Sequence, residues 1–224
     1  MNSTTGRVRQ IIDLSHSLSS ATPAFPGDPS LEIRVLDSAL TQSVAGERHL
    51  NSSHLSMGLH CGTHMDAPFH FFQDAATIDQ VLLDRCVGPA LLVRLPTAEH
   101  GSTIDREHLV QFESGLRETT RVVLNTGWHH RWGMDDYFSE HPVITGEAAQ
   151  FLVDCGVLLI GVDTPSVDRA PFPAHLVFLG NVVLIVENLT NLDAISVDTF
   201  ELIATPLKIA GRDGSPVRAV AIVS

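Results

Sequence analysis

The sequence predicts an α/β or α+β protein built on a mixed β-sheet or a partial β-barrel. Short apolar runs rich in β-branched residues recur along the chain, and they outnumber the segments that carry helix start and stop signals. The two kinds of segment alternate, which favours mixed layers over separate all-β and all-α units. No repeat, low-complexity tract or linker-like change in composition divides the 224 residues, so we expect a single domain over residues 1–224.

Eight apolar runs are expected to form the strands of this sheet. The predicted strands are Ile11 to Leu14, Leu31 to Leu36, Val87 to Leu95, Arg121 to Asn125, Val157 to Val162, Val182 to Val186, Phe200 to Ala204 and Val217 to Val223. Apolar residues also alternate with small or polar residues from Leu55 to Leu59. This alternation predicts a further strand that leads directly to His60.

Two helices carry clear sequence signals. Ser102, followed three residues later by Asp105, resembles a capping box that begins a helix running toward Phe112. A second helix is predicted from Thr145 to Asp154, and Gly156 is suited to its C-terminal end.

Composition and charge exclude several classes of partner. The chain is 44% hydrophobic and only 18% charged, so it can bury a large core. Its net charge of −12, with no basic run, argues against nucleic acid or an anionic membrane as a partner. No apolar stretch approaches the length of a bilayer span. The N-terminus has no signal-like apolar core, and the three cysteines form no disulfide pattern or CxxC motif, so we expect a cytoplasmic protein.

One short stretch concentrates the groups that bind metals. His60, His64, Asp66 and His70 lie within it, and imidazoles with a carboxylate are typical ligands of Zn²⁺. On a helical turn, the spacing of four would place His60 and His64 on one face. Pro68 discourages further helix, so the Asp66 carboxylate can approach from another direction. The alternatives are a histidine-rich surface turn, or a polar core without a cation, which would be costly to bury.

Residues 60–70 fit the pattern HxGTHxDxPxH and resemble the metal-dependent cyclase-type hydrolases, a family that includes bacterial kynurenine formamidase and isatin hydrolase. Weaker matches keep the family's order and spacing at Ile12 to Ser15, Phe25 to Asp28, Gly161 to Asp168, Glu187 to Leu189 and Gly214 to Val220. The resemblance implies a swivelling β/β/α fold and assembly into a homodimer or homotetramer. It also implies a small-molecule substrate whose carbon–nitrogen bond is hydrolysed at a metal centre.

The same resemblance implies a set of metal ligands. His60, His64 and Asp66 would bind a first ion. Asp66 would bridge to a second ion bound by His175 and Glu187, with Glu187 bridging as well. Two Zn²⁺ ions per chain are expected, with Mn²⁺ as the alternative. From the residues alone, Glu187 ends an apolar strand that can hold its carboxylate rigidly, whereas His175 could equally be a buried core histidine.

The resemblance also implies a reaction in which His70 is the general acid and base rather than a ligand. A metal-bound hydroxide would attack an amide carbonyl, and His70 would protonate the leaving nitrogen. The closest activity is that of an arylformamidase, which converts N-formylkynurenine to kynurenine and formate. A mononuclear isatin-type hydrolase carries glutamine where this chain has Glu187, so the acidic residue favours two ions. Polyketide cyclase activity and a non-catalytic metal-binding protein are further alternatives, although a purely structural site has no use for His70.

Other residues have less certain roles in this pattern. Formamidases usually carry tryptophan in place of Phe25, whose ring can still stack on an aromatic substrate. Arg169 could bind a substrate carboxylate or could be a solvated surface residue. His129 and His130 lie in a polar segment that resembles an active-site loop, and we interpret them as non-ligands.

Overall fold

The computed structural model describes residues 9–36, 51–95 and 101–223 of the chain. Its strands are β1 (Gln10–Asp13), β2 (Glu32–Val35), β3 (Ser53–Ser56), β4 (His64–Asp66), β5 (Val87–Arg94), β6 (Thr103–Ile104), β7 (Arg121–Asn125), β8 (Val143–Ile144), β9 (Leu159–Val162), β10 (Leu184–Glu187), β11 (Thr199–Ile203), β12 (Gly214–Pro216) and β13 (Val220–Val223). Its α-helices are α1 (Leu83–Cys86), α2 (Arg106–Leu109), α3 (Glu113–Thr119), α4 (Gly146–Asp154) and α5 (Pro173–Gly180). None of the helices within these ranges has the length and apolarity needed to cross a lipid bilayer.

Nine of these strands form one mixed sheet, in the order β1-β13-β11-β5-β7-β9-β10-β4-β12. The central strands β5, β7, β9 and β10 are parallel to one another. Antiparallel strands extend the sheet on both sides and curl it toward a half-barrel. The predicted α/β architecture with a mixed sheet or partial barrel is therefore confirmed.

The parallel strands are buried on both faces, and this explains why they were predicted well. In β7, the side chains of Val122 and Leu124 pack on one face with residues of α3, α4 and α5. Val123 points to the opposite face, where it joins a core contributed largely by the antiparallel strands. Strands covered on both sides read as continuous apolar runs. The predicted strand from Arg121 to Asn125 matches β7 at both ends.

The chain does not reach the metal-binding stretch as predicted. β3 ends at Ser56, and the next seven residues form coil and turns, so no strand leads directly to His60. The amide of Cys61 donates to the carbonyl of Gly58 and closes one of these turns. The two histidines also do not share a helical turn, because His64 begins β4. Pairing of β4 with β10 and β12 stabilises extended backbone there.

The two predicted helices are present, the first with different boundaries and the second with Thr145 as its N-cap and Asp154 as its last residue. Asp105, not Ser102, is the N-cap of α2, because Ser102 precedes the short strand β6. The helical segment continues through a 3₁₀ turn into α3 and ends seven residues beyond Phe112, at Thr119. The Thr145 hydroxyl caps α4 by accepting from the Ala148 amide, as its residue type predicts.

Candidate metal centre

Four of the predicted ligands lie together at the carboxyl end of the parallel strands, three on the sheet and one on a helix. Glu187 is the last residue of β10, and it lies directly opposite His64, the first residue of the antiparallel strand β4. Asp66 is two residues further along β4 and shares the face of His64, because side chains alternate along a strand. His175 comes from the first turn of α5. Carboxyl ends of parallel strands are where ligand sites form in such sheets.

Two carboxylates are shared between two imidazoles in this cluster, which we call the metal centre (His64, Asp66, His175 and Glu187). His64 Nε2 lies 3.4 Å from Asp66 Oδ1 and 3.3 Å from Glu187 Oε2. His175 Nε2 lies 3.6 Å from Asp66 Oδ2 and 3.6 Å from Glu187 Oε1. Each carboxylate therefore presents one oxygen to each histidine. All four residues are no more than 4% exposed.

Neighbouring acceptors orient both imidazoles. His64 Nδ1 donates to the Gly62 carbonyl at 2.9 Å, and a carbonyl can only accept. His175 Nδ1 lies 2.5 Å from Asp168 Oδ1. In the neutral ring, each Nε2 then carries the lone pair and faces the carboxylates. A histidine whose second nitrogen donates to an oxygen in this way is the usual form of a metal ligand.

The metal centre requires positive charge. Asp66 Oδ2 is buried and has no hydrogen-bond partner. Burial disfavours the charged imidazolium of His64 and so lowers its pKa. Hydrogen bonds to Asp66 and Glu187 together have the larger effect, and the pKa of His64 is raised well above its usual value. Against the same burial, the hydrogen bond to Asp168 and the negative charge of Asp66 raise the pKa of His175 to about 10. These residues fit a divalent ion, which would replace the protons and satisfy the orphaned oxygen.

His60 lies beside the metal centre, between two carboxylates. Its Nδ1 is 2.7 Å from Asp66 Oδ1, and its Nε2 is 2.7 Å from Asp213 Oδ2. His60, His64 and Asp66 present ligand atoms within 4.8 Å of one another, as a shared ion requires. Gly214 permits this approach, because a Cβ there would lie 2.8 Å from His60 Cε1. Asp213 was not among the residues predicted from the sequence, although it directly precedes a segment that matches the family.

His70 lies beside the metal centre on a 3₁₀ turn, with 31% of its side chain exposed. Its ring centroid is 4.2 Å from that of His60 and 6.2 Å from that of His175. Its Nδ1 is 3.5 Å from Asp213 Oδ2. Burial lowers the pKa of His70, which keeps the ring neutral at pH 7. A neutral imidazole in this position can accept and return a proton.

A pocket of about 490 Å³ opens onto the metal centre and has aromatic walls. Phe25, the predicted substrate contact, lines it and is 43% exposed. Phe71 and Phe172, which were not predicted from the sequence, also line the pocket and contact His175 at centroid distances of 4.9 and 5.8 Å. Phe71 directly follows His70, which is the one local signal for its position. Phe172 has a φ of 61°, which is unusual for a bulky residue.

Three residues of uncertain role lie away from this pocket. The Arg169 guanidinium donates to the carbonyl of His141 and is not among the side chains that line the pocket. His129 and His130 lie on a 3₁₀ turn after β7, near Asp193 rather than near the metal centre.

The chain is similar to known proteins over most of its length. Residues 12–169, more than half of the chain, match the model of a family described as putative cyclases. The chain belongs to this cyclase family. It is 34% identical over 218 residues to kynurenine formamidase of Bordetella petrii, covering 95% of this chain and 98% of the relative. It is 35% identical over 213 residues to kynurenine formamidase of Bacillus cereus, covering 93% of this chain and 95% of the relative.

Solved structures extend the similarity to the fold of the cyclase family. Isatin hydrolase A from Labrenzia aggregata superimposes with a TM-score of 0.82 at 25% identity, covering 96% of this chain and 94% of that one. An isatin hydrolase bound to the product analogue thioisatinate gives a TM-score of 0.83 at 25% identity, covering 96% of this chain and 92% of that one. The resemblance inferred from the histidine signature is therefore confirmed.

Proposed function

We propose that this protein is a metal-dependent hydrolase of an aromatic amide, closest in activity to an arylformamidase acting on N-formylkynurenine. The observation that carries the proposal is the pair of buried carboxylates shared between His64 and His175 at the base of a pocket with aromatic walls. The formamidase relatives, matched over nearly their full length, support the substrate class. They also confirm the coarser prediction of a hydrolase acting on a carbon–nitrogen bond outside peptides.

Five residues would hold the metal in this proposal. His64 and His175 would each contribute Nε2, Asp66 and Glu187 would contribute carboxylate oxygens, and His60 would complete the set. Zn²⁺ is the preferred ion for this set, with Mn²⁺ as the alternative. When bound, such ions polarise a carbonyl oxygen and lower the pKa of water to about 7.

The remaining pocket residues bind the substrate and move the proton. The rings of Phe25, Phe71 and Phe172 would contact the faces and edges of an aromatic substrate, which places its amide toward the carboxylates. His70, held neutral by burial, would take a proton from water and deliver it to the departing nitrogen. That nitrogen is a poor leaving group until it is protonated.

A cyclic aromatic amide is a second candidate substrate. The superposition with isatin hydrolases over almost the whole chain favours it. Glu187 favours the formamide instead, because the shared acidic oxygen suits a centre of two ions, whereas the isatin-type centre is expected to carry glutamine and one ion.

Hydrolysis rates on matched substrates test the proposed function. The protein, loaded with Zn²⁺ or with Mn²⁺, would be assayed on N-formylkynurenine, on its N-acetyl analogue and on isatin. We expect N-formylkynurenine to have the highest kcat/KM and a chelator to abolish the activity. If isatin has the highest kcat/KM, the cyclic amide replaces the formamide as the proposed substrate. No hydrolysis of any of the three by the metal-loaded protein would contradict the proposal.

A further inference from the structure

Two histidines and a carboxylate form a second group at the carboxyl end of the parallel strands, outside the metal centre. His129 and His130 lie on the 3₁₀ turn after β7, and Asp193 lies on the 3₁₀ turn after β10. Asp193 Oδ2 is 3.6 Å from His129 Nε2 and 2.7 Å from His130 Nε2. We call these three residues the rim cluster. None of them lines the substrate pocket, and the proposed reaction uses none of them.

Buried neighbours orient His129 within the rim cluster. Its Nδ1 lies 2.9 Å from Asp163 Oδ2. The other oxygen of Asp163 accepts from both the amide and the hydroxyl of Thr126, at 3.1 and 2.7 Å. The carboxylate is therefore fixed, and it selects the tautomer in which His129 Nε2 carries the lone pair. That nitrogen faces Asp193. His175 is held by Asp168 in the same way.

Asp193 is also oriented and charged. Asn125 Nδ2 donates to Asp193 Oδ1 at 2.9 Å, which leaves Oδ2 for the two histidines. This hydrogen bond is the main reason that the pKa of Asp193 lies below its usual value, with His130 contributing against the effect of burial. The carboxylate is thus ionised at neutral pH, the form in which it binds a cation.

In place of the interpretation of His129 and His130 as non-ligands, we propose that His129 Nε2, His130 Nε2 and Asp193 Oδ2 bind one divalent transition-metal ion of the Zn²⁺ class, in addition to any ions at the metal centre. Bonds of about 2.1 Å in tetrahedral geometry place ligand atoms about 3.4 Å apart. The separation of 3.6 Å between His129 and Asp193 is already close to that value. The separation of 2.7 Å to His130 is a hydrogen bond that must open by rotation of this ring, whose side chain is 67% exposed and whose centroid lies 4.1 Å from that of His129. Water completes the coordination.

The bound ion would link two loops that are distant in sequence. It joins residues 128–131 to residues 192–194, at the carboxyl ends of two of the parallel strands. The affinity should be lower than at the metal centre, because one carboxylate rather than two is present and it is 57% exposed.

Zinc stoichiometry in matched variants tests the rim cluster. The full-length protein would be dialysed against increasing Zn²⁺ and its metal content measured by elemental analysis, alongside His130→Ala, Asp193→Asn and the control His54→Ala. His54 is an exposed histidine outside both clusters. Over part of the Zn²⁺ concentration range, we expect the wild type and the control to bind one more ion per chain than either of the two rim variants, His130→Ala and Asp193→Asn. Each rim variant should need at least about tenfold more zinc for that ion.

This test by zinc content does not depend on the proposed function. Both clusters remain intact in the control, and only the rim cluster changes in the test variants. As a second measurement, diffraction at the zinc absorption edge should show a peak beside His129 and His130 in wild-type crystals. Equal zinc contents for wild type and both rim variants at every concentration would overturn the proposal. A peak at the metal centre with none at the rim cluster would also overturn it.

Discussion

The metal centre and the rim cluster flank the same loop, and they differ mainly in burial and in the number of carboxylates. Asp168, at one end of residues 163–168, orients His175 in the metal centre, and Asp163, at the other end, orients His129 in the rim cluster. The metal centre has two shared carboxylates and is almost fully buried. The rim cluster has one carboxylate that water can reach.

This difference shows why the metal centre requires a cation whereas the rim cluster can accept one without requiring it. The oxygen Asp66 Oδ2 is buried without a hydrogen-bond partner, and burying charges without compensation is costly. At the rim cluster, by contrast, solvent and the hydrogen bond to His130 satisfy Asp193. Each cluster thus has its own orienting aspartate, Asp168 or Asp163, but only the metal centre holds a buried carboxylate oxygen that calls for a cation.

Removing a shared carboxylate should have the largest effect. Asp66→Asn leaves the side-chain shape but removes the charge that both proposed ions share, so metal content and hydrolysis should fall together to the level of the chelated protein. Asp193→Asn is the matched change in the rim cluster and should leave hydrolysis unaltered. Elemental analysis and kcat/KM measure both effects. Full activity in Asp66→Asn would contradict the assigned role.

Removing the proposed proton carrier should separate catalysis from metal binding. His70→Ala is expected to slow turnover by roughly 10²–10⁴, the usual contribution of general acid–base catalysis, while metal content stays at the wild-type level. His60→Ala should instead lose metal and activity together, because it removes a ligand. If the His70 variant releases metal as fully as the His60 variant, His70 is a ligand and another group must carry the proton.

The orienting aspartates should act on separate clusters. Asp168→Asn disturbs the orientation and basicity of His175, so metal affinity at the metal centre should fall by about 10–100-fold. Asp163→Asn should leave that affinity unchanged, because Asp163 contacts His129 instead. Competition with a chromogenic chelator measures the affinities, and circular dichroism checks the fold. Equal loss of affinity in both variants would show that the loop acts as one unit.

Changing the aromatic wall should have the smallest effect. Phe25→Ala is expected to weaken binding of an aromatic substrate by about 1 kcal/mol, roughly fivefold in KM, with little change in kcat. Stability should change little, since the ring is 43% exposed. Phe25→Tyr retains a ring and serves as the control. Identical KM values for all three proteins would mean that Phe25 does not touch the substrate.

Elements with a local signal could be predicted from the sequence. β7 has three consecutive apolar residues, Val122 to Leu124, because both faces of the strand are buried, and its predicted bounds match the structure to the residue. The histidine signature likewise lies within one short stretch, so its chemistry is readable without the fold. The bridging roles of Asp66 and Glu187 came from the family resemblance and stay predictions, although each carboxylate does present one oxygen to each histidine.

Features that depend on distant pairing could not be predicted. β4 has three residues with polar ends, so it shows no periodicity, and only its pairing with β10 and β12 makes it a strand. The same pairing brings Asp213 next to His60 across 153 positions of sequence. The contact between Asp168 and His175 depends on how α5 packs. Assembly into a homodimer or homotetramer and a cytoplasmic location remain predictions.

Locating the ions tests the central claim most directly, namely that Asp66 and Glu187 share two cations between His64 and His175. Crystals of the Zn²⁺-loaded protein would be measured on both sides of the zinc absorption edge. We predict two anomalous peaks at the metal centre, about 3.5–4 Å apart as in other two-metal hydrolases, each within bonding distance of one oxygen from both carboxylates. A single peak at the metal centre under full loading, or no peak between these four residues, would contradict the account.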